Sequence, residues 1–383
     1  MKIETVKGFR DFEGEEALKR REIKRILEEI FNLYGFEPAE TPIVEYEEFV
    51  RGENQNDEAI SDIFKLEDRG KRKLALRYEF TFQLKRLMNN KKLPYKRYTV
   101  GPVFRDEPVK ENRLRQFTQC DVDVVGSTIK NESEILDIVK NVLNKLNLKA
   151  EIFVNNRKLL NEIIGSYGVE ENNFANVIRE IDKMDKISER EIKDNLKKYG
   201  AEKIFGIFKK PEKYFEKFSS YGEIKELKKS CMAYGIKVKF SPSLARGLSY
   251  YNGNVFEVKA KGIKETIFGG GSYMFNGIQC TGISAGLERI CAVANIFPEN
   301  NLIMVVSLNQ DKEAIKLANE LRAVGKKVLV YYGKPSKSLD YANSYNFKKV
   351  LFVGEDEVKS GKFTLKDLES GVEKKVSLKN LLK

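Results

Sequence analysis

The sequence predicts an α+β fold in two parts: a core of strands and helices with a helical insertion, then a smaller α/β domain. Three observations predict it. Strand-like runs alternate around turns and charged loops between residues 63 and 125, and strand character returns between 238 and 258. A Lys/Glu-rich stretch, 156–235, has helical period and breaks at Gly165, Gly200 and Pro211. Beyond Pro298 strand and helix alternate, the pattern of an α/β sheet. A length of 383 residues suits two or three domains, and 41% apolar residues suffice for sizeable cores.

Taken in order, residues 14–34 read as a helix, because Ile23, Ile26, Leu27, Ile30, Phe31 and Tyr34 form one apolar stripe that Gly35 ends. Pro38 and Pro42 bracket an extended segment to Val44. Residues 63–68 and 73–77 alternate like strands around Arg69-Gly70, and Thr81–Asn89 reads as a helix. Tyr98–Arg105 and Phe117–Val125 form a hairpin whose tip, Asp106–Arg115, is charged. An amphipathic helix over 132–147 leads to the strand Ala150–Val154. After the helical stretch come strands at Val238–Phe240 and Gly253–Val258, then a helix over Ser284–Ala294. The tail reads as strand Leu302–Leu308, helix Lys312–Ala323, strand Lys327–Tyr332, helix Lys337–Tyr345 and strand Lys349–Val353.

Composition excludes more chemistry than any single motif includes. The chain has no histidine, which removes Ser-His-Asp and Cys-His catalysis, His-ligated zinc and a His general base. Cys120, Cys231, Cys280 and Cys291 form no CxxC pair, so no metal site is expected, and four scattered thiols fit a reducing cytoplasm. No apolar run reaches the ~18 residues of a membrane span, and Met1–Arg10 carries no apolar leader segment. The net charge of +12 favours a polyanionic partner. Residues 301–383 hold 16 Lys and Arg against 10 Asp and Glu, so the tail is more basic per residue than the rest.

Several segments concentrate polar chemistry. Glu79 and Thr81 stand two apart at a strand end and suit an ammonium group. Gln119, Asp121 and Asp123 share one face of an otherwise apolar strand, so that face is either wet or a site. Arg105 and Arg113 flank the hairpin tip, placed to grip phosphates from two sides. Arg246-Gly247 precedes the aromatic pair Tyr250-Tyr251. Gly269-Gly270-Gly271 suits either phosphate binding or tight strand packing. Gly286-Leu287-Glu288-Arg289 joins a small-residue run to a helix.

These segments, in this order, resemble the histidyl-tRNA synthetases, class II aminoacyl-tRNA synthetases of subclass IIa, over essentially the whole chain. Gly35-Phe36 to Thr41-Pro42, Val103–Glu107 with Arg115-Gln116-Phe117, and Gly286–Arg289 resemble class II motifs 1, 2 and 3. Arg246-Gly247-Leu248 with Tyr250-Tyr251, Gly269–Tyr273, Asn155–Leu160 and Asp182–Ile187 resemble segments of the histidyl branch. The tail is similar to a class IIa anticodon-binding domain. The resemblance implies a class II antiparallel-sheet catalytic domain over 1–300, with a helical insertion at about 160–235, and an anticodon-binding α/β domain over 301–383. It implies ATP-dependent ligation of L-histidine to tRNA(His) through a histidyl-adenylate, with Mg²⁺, in a cytoplasmic homodimer.

The same resemblance assigns ATP to Arg105, Glu107, Arg113, Phe117 and Arg289. It assigns histidine to Glu79, Thr81, Gln119, Asp123, Arg246, Tyr250 and Tyr251, and the charge that builds at the α-phosphate to Arg246, Arg105 and Arg289. No protein-held metal is implied. Four departures stand out: Ser249 where the family has Asp, Ser272 and Met274 where it has Arg and Asp, Asp123 where many bacterial relatives have Glu, and the loop Pro108–Asn112. Synthetase-like regulatory subunits typically lack the signature arginine and the tail; this chain has both.

Overall fold

The computed structural model describes residues 3–52, 58–110, 112–184, 187–246, 250–298 and 301–382. The chain divides into two compact units, Met1–Phe297 and Pro298–Lys383.

The first unit opens with helix α1 (Gly14–Leu33), whose stripe Ile23, Ile26, Leu27, Ile30 and Phe31 is buried. The chain reverses at Gly35, whose positive φ of 73° a side chain would strain. Strand β1 (Glu37–Pro38) follows. Strands β2 (Val44–Tyr46), β3 (Lys65–Glu67) and β4 (Lys73–Leu76) make a small antiparallel sheet, with β4 in the middle. Then come β5 (Tyr95–Phe104), β6 (Gln116–Val125), β7 (Ala150–Asn156), β8 (Val238–Phe240), β9 (Tyr251–Ala260), β10 (Thr266–Phe275) and β11 (Ile278–Gly286). With β1 they form one eight-stranded sheet in the order β1-β5-β6-β11-β10-β9-β7-β8. Its six central strands are antiparallel, and the short edge strands β1 and β8 pair parallel.

Strand alternation gives this sheet two different faces. Cys120, Val122 and Val124 of β6 enter the main apolar core with α1 and the helix Ile129–Lys145. Gln119, Asp121 and Asp123 point the other way. The helices Arg157–Ser166, Phe174–Asp182, Glu189–Lys197 and Tyr221–Ala233 lie between β7 and β8 in sequence. Their buried side chains join the same core. Asn156 caps the first of them, accepting from the backbone N–H of Lys158 at 2.8 Å.

One predicted element changes type. The helix expected over Ser284–Ala294 is shorter: Ser284, Ala285 and Gly286 belong to β11, and the helix spans Leu287–Val293. Small residues carry no period of their own, and the ladder to β6 claims them.

The second unit is a five-stranded sheet of β12 (Leu302–Ser307), β13 (Lys327–Tyr332), β14 (Lys349–Val353), β15 (Lys362–Asp367) and β16 (Glu373–Ser377), ordered β13-β12-β14-β15-β16. The first three strands are parallel; β15 and β16 add antiparallel. The sheet is buried on both faces, Val305 on one and Met304 with Val306 on the other. The last two strands are not among the predicted elements: β15 does alternate, at Phe363 and Leu365, whereas Glu-Lys-Lys in β16 offers no apolar alternation and pairs through its backbone.

Candidate active site

The polar face of β6 is a site floor. Gln119, Asp121 and Asp123 are all buried. Across the ladders stand Gly101, Thr99 and Arg97 of β5 on one side, and Gly286, Ser284 and Gly282 of β11 on the other. The glycines make room for the charged groups. A Cβ on Gly282 would fall 2.0 Å from an oxygen of Asp123, and one on Gly269 would fall 1.9 Å from Nη1 of Arg246. Gly270 serves strand packing instead, because its Cβ would meet the backbone oxygen of Gly282 at 2.1 Å. The glycine run therefore holds one position for each purpose.

All seven residues assigned to histidine line one recess of about 60 Å³: Glu79, Thr81, Gln119, Asp123, Arg246, Tyr250 and Tyr251. Tyr250 donates its hydroxyl to Glu79 at 3.3 Å, and Gln119 donates its amide to Asp121 at 2.9 Å. Arg105 donates to the Tyr78 carbonyl at 3.0 Å and, more weakly, to Gln119 at 3.4 Å. Tyr273 donates to one oxygen of Asp123, and Arg97 Nη2 lies 2.8 Å from the other. The rings of Tyr250 and Tyr251 stand 4.8 Å apart. Burial pushes Glu79 up to about 7 against the pull of Arg105, and pushes Asp121 up to about 6 against Arg97. Burial also raises Asp123, with Arg97 and the Tyr273 hydroxyl opposing it.

The residues assigned to ATP line an adjoining cleft of about 630 Å³: Arg105, Glu107, Arg113, Phe117 and Arg289. Arg105 stacks over Phe117, 5.2 Å from the ring centre. Arg289 donates to the Thr266 carbonyl at 3.0 Å. Burial first, and then the guanidiniums of Arg113 and Arg105, lower its pKa, with Glu265 and Glu107 opposing. Arg113 pairs with Glu107, and Arg246 sits 3.3 Å from Glu257. Arg105, Gln119 and Arg246 line both cavities and so mark the seam between them. The arrangement can hold a polyanion against a small polar recess, with guanidiniums where the two meet.

Some sequence features fall elsewhere. Ser272 points to the far face of the sheet and hydrogen-bonds Glu132, and Met274 is half exposed; neither departure touches the recess. Lys110 and Asn112 of the tip loop line the cleft. Gly247, Leu248, Ser249, Asp185 and Lys186 lie outside the described residues. Glu288 lines the cleft and is held there, accepting from the backbone N–H of Thr118 at 3.0 Å and from Arg20 at 2.9 Å. Sequence reasoning missed Arg97, Glu257 and the role of Tyr273. The alternation argument that exposed Asp123 would have found Arg97, a lone charge at an inward position of the facing strand.

A largely antiparallel sheet carrying an arginine-lined cleft on its polar face, followed by a separate α/β unit, fits a class II aminoacyl-tRNA synthetase. The chain belongs to the histidyl-tRNA synthetase family: that family's model matches residues 8–290, and an anticodon binding domain model matches 302–383. It is 34% identical to histidine–tRNA ligase 1 of Bacillus cereus (strain ATCC 10987 / NRS 248), covering 100% of this chain and 97% of the relative. It is 32% identical to the histidine–tRNA ligase of Nanoarchaeum equitans (strain Kin4-M), covering 98% and 97%. The histidyl-tRNA synthetase from Nostoc sp. PCC 7120 superposes with a TM-score of 0.84 at 25% identity, covering 100% of this chain and 99% of that one.

Proposed function

We propose that the chain ligates histidine to tRNA(His) in two steps through a histidyl-adenylate, and that the recess takes histidine and the cleft ATP. The observation that carries this is Arg246 at the seam, held in the space that Gly269 leaves open. In the first step a carboxylate oxygen of histidine attacks the α-phosphorus of ATP in line, and pyrophosphate leaves. The attacking group is already an anion, so no general base is needed, and a chain without histidine can run the reaction. What the step needs is positioning and fixed positive charge around the phosphoryl oxygens. Arg246 and Arg105 supply it at the seam, and Arg289 and Arg113 meet the outer phosphates. Phe117 and Glu107 receive the adenine. Glu79, Thr81 and Gln119 hold the α-ammonium, and Asp123, Tyr250 and Tyr251 surround the ring. In the second step a hydroxyl of the terminal adenosine of tRNA attacks the histidyl carbonyl, its proton passes to the adenylate phosphate, and AMP leaves.

Magnesium fits as a companion of the nucleotide. Among the described residues no cluster of three acidic or sulfur side chains could hold an ion alone, whereas Glu265 lines the cleft and could share one with the phosphates. Bound there, it would offset the charge of the β- and γ-phosphates. Residues 1–300 serve as the catalytic domain, 160–235 as its insertion and 301–383 as the anticodon-binding domain. Among the described residues no helix is long and apolar enough to cross a membrane; the working form is a cytoplasmic homodimer. ATP–pyrophosphate exchange across a panel of amino acids tests the assignment. Histidine alone should support exchange, and exchange driven by another amino acid would overturn it.

A further inference from the structure

Beneath the recess lies a charge that no substrate role explains. Arg97 is 0% exposed and stands directly across the β5–β6 ladder from Asp123. Its Nη2 lies 2.8 Å from Asp123 and donates to the Phe80 carbonyl at 3.3 Å. Its Nε and Nη1 have no hydrogen-bond partner among the described residues, nor do Thr99 Oγ1 and Asp121 Oδ1. A buried guanidinium so incompletely bonded is costly to fold, which points to a use for its charge. The groups that face it are Asp123 and Asp121 from β6, Tyr273 from β10 and Tyr95 from its own strand. Glu79, Arg105 and Arg246 stand further out around the same recess.

We propose that Arg97 is a positioning residue that makes the recess select histidine with an uncharged ring. This rests on the assignment of the recess to histidine. A zwitterionic amino acid brings its ammonium to Glu79, Thr81 and Gln119, with Asp121 engaged behind Gln119 at 2.9 Å, and its carboxylate toward Arg246. Only Asp123 is left for the ring. Standing alone, a buried carboxylate there would draw a cation, and imidazolium would be the preferred form. Arg97 supplies that cation from within the protein. Asp123 then keeps a free lone pair as acceptor for one ring N–H, but its charge is already offset. An imidazolium would bring a second positive charge onto a carboxylate that a guanidinium already shares, and like charges disfavour the charged form. Tyr273, donating to the other oxygen, fixes the direction of the carboxylate.

The test is histidine-dependent ATP–pyrophosphate exchange between pH 5.5 and 8.5 at saturating ATP, with the KM for ATP followed in parallel. For the wild-type protein, kcat/KM for histidine should rise about tenfold from pH 5.5 to a plateau above 7, following the ring near pH 6.5. Glu79 and Asp121 titrate in the same window, so 1,2,4-triazole-3-alanine, whose ring does not, is the control; its profile should show only what those carboxylates contribute, a smaller rise than that of histidine. Arg97→Gln should lower kcat/KM at pH 8 about tenfold, lower it less at pH 5.5, and leave the KM for ATP unchanged. Arg97→Lys should keep the wild-type shape. A wild-type profile that is flat or rises toward acid overturns the inference without any variant, as does the same rise with the triazole. So does an unaltered shape in Arg97→Gln, an equal change in the KM for ATP, or failure of Arg97→Lys to restore the shape. No histidine-dependent exchange at all by the wild-type protein would overturn the ligase assignment and the inference with it. Exchange of the wrong pH shape overturns the inference alone.

Discussion

Arg246 illustrates how one side chain depends on atoms that are missing elsewhere. It reaches the seam because Gly269 has no Cβ, and Glu257 holds it at 3.3 Å from one side. A charged donor preorganised in a buried cleft stabilises the phosphoryl transition state more than the bound substrates. Arg246→Ala should lower kcat for histidine-dependent exchange by roughly 10²-fold or more and change the KM for histidine far less. Equal loss in kcat and in histidine affinity, measured by steady-state kinetics and calorimetry, would reduce Arg246 to a binding contact.

At the scale of elements, β9, β10 and β11 connect the recess to the helix layer. A methyl on Gly269 would displace the guanidinium of Arg246, so Gly269→Ala should reproduce most of the kinetic loss of Arg246→Ala. The two changes should be strongly non-additive in a double-mutant cycle; additive losses would show that Gly269 acts through the sheet. On the opposite face, Glu132 of the helix Ile129–Lys145 is buried against β9 and β10, accepting from Asn254 at 2.7 Å and from Ser272. Burial lifts its pKa from 4.5 to about 7, so the native state keeps a proton that the unfolded chain releases at lower pH. Between those values the native state binds more protons, and stability falls as pH rises. Glu132→Gln should flatten that fall by up to about 1.4 kcal/mol per pH unit, read from denaturant midpoints between pH 4.5 and 7. The Ser272 hydroxyl can reverse to accept from the new amide. An unchanged slope would place the proton elsewhere, and Glu79, also raised to about 7, would be the next candidate.

At the scale of the molecule, each unit has its own apolar core, so each should fold without the other. A chain ending at Phe297 should still form histidyl-adenylate in exchange assays while charging tRNA poorly. Its tRNA binding should show a shallower salt dependence, because the basic tail's phosphate contacts are gone. Full charging by the shortened chain would remove the anticodon role from residues 301–383.

Much of this is legible in the sequence. Helix α1, the β5–β6 hairpin and the first three strands of the tail follow from local periodicity, which burial of one face imposes on the chain. The absence of histidine excluded whole classes of catalysis, and the arginines, carboxylates and paired tyrosines of the site could be named because their motifs are contiguous. Tertiary structure decided what depends on partners distant in sequence. It set β11 against β6, turning Ser284–Gly286 from helix into strand. It placed Arg97 against Asp123, put Arg246 in the space of Gly269, and sent Ser272 to Glu132 on the far face. It also added β15, which puts Phe363 and Leu365 into the core of the tail, and β16, whose Glu373, Lys374 and Lys375 carry no apolar alternation. The physical reason is the same in each case. Periodicity reports which face of an element is buried, but the identity of the group across the ladder is settled only when the strands pair.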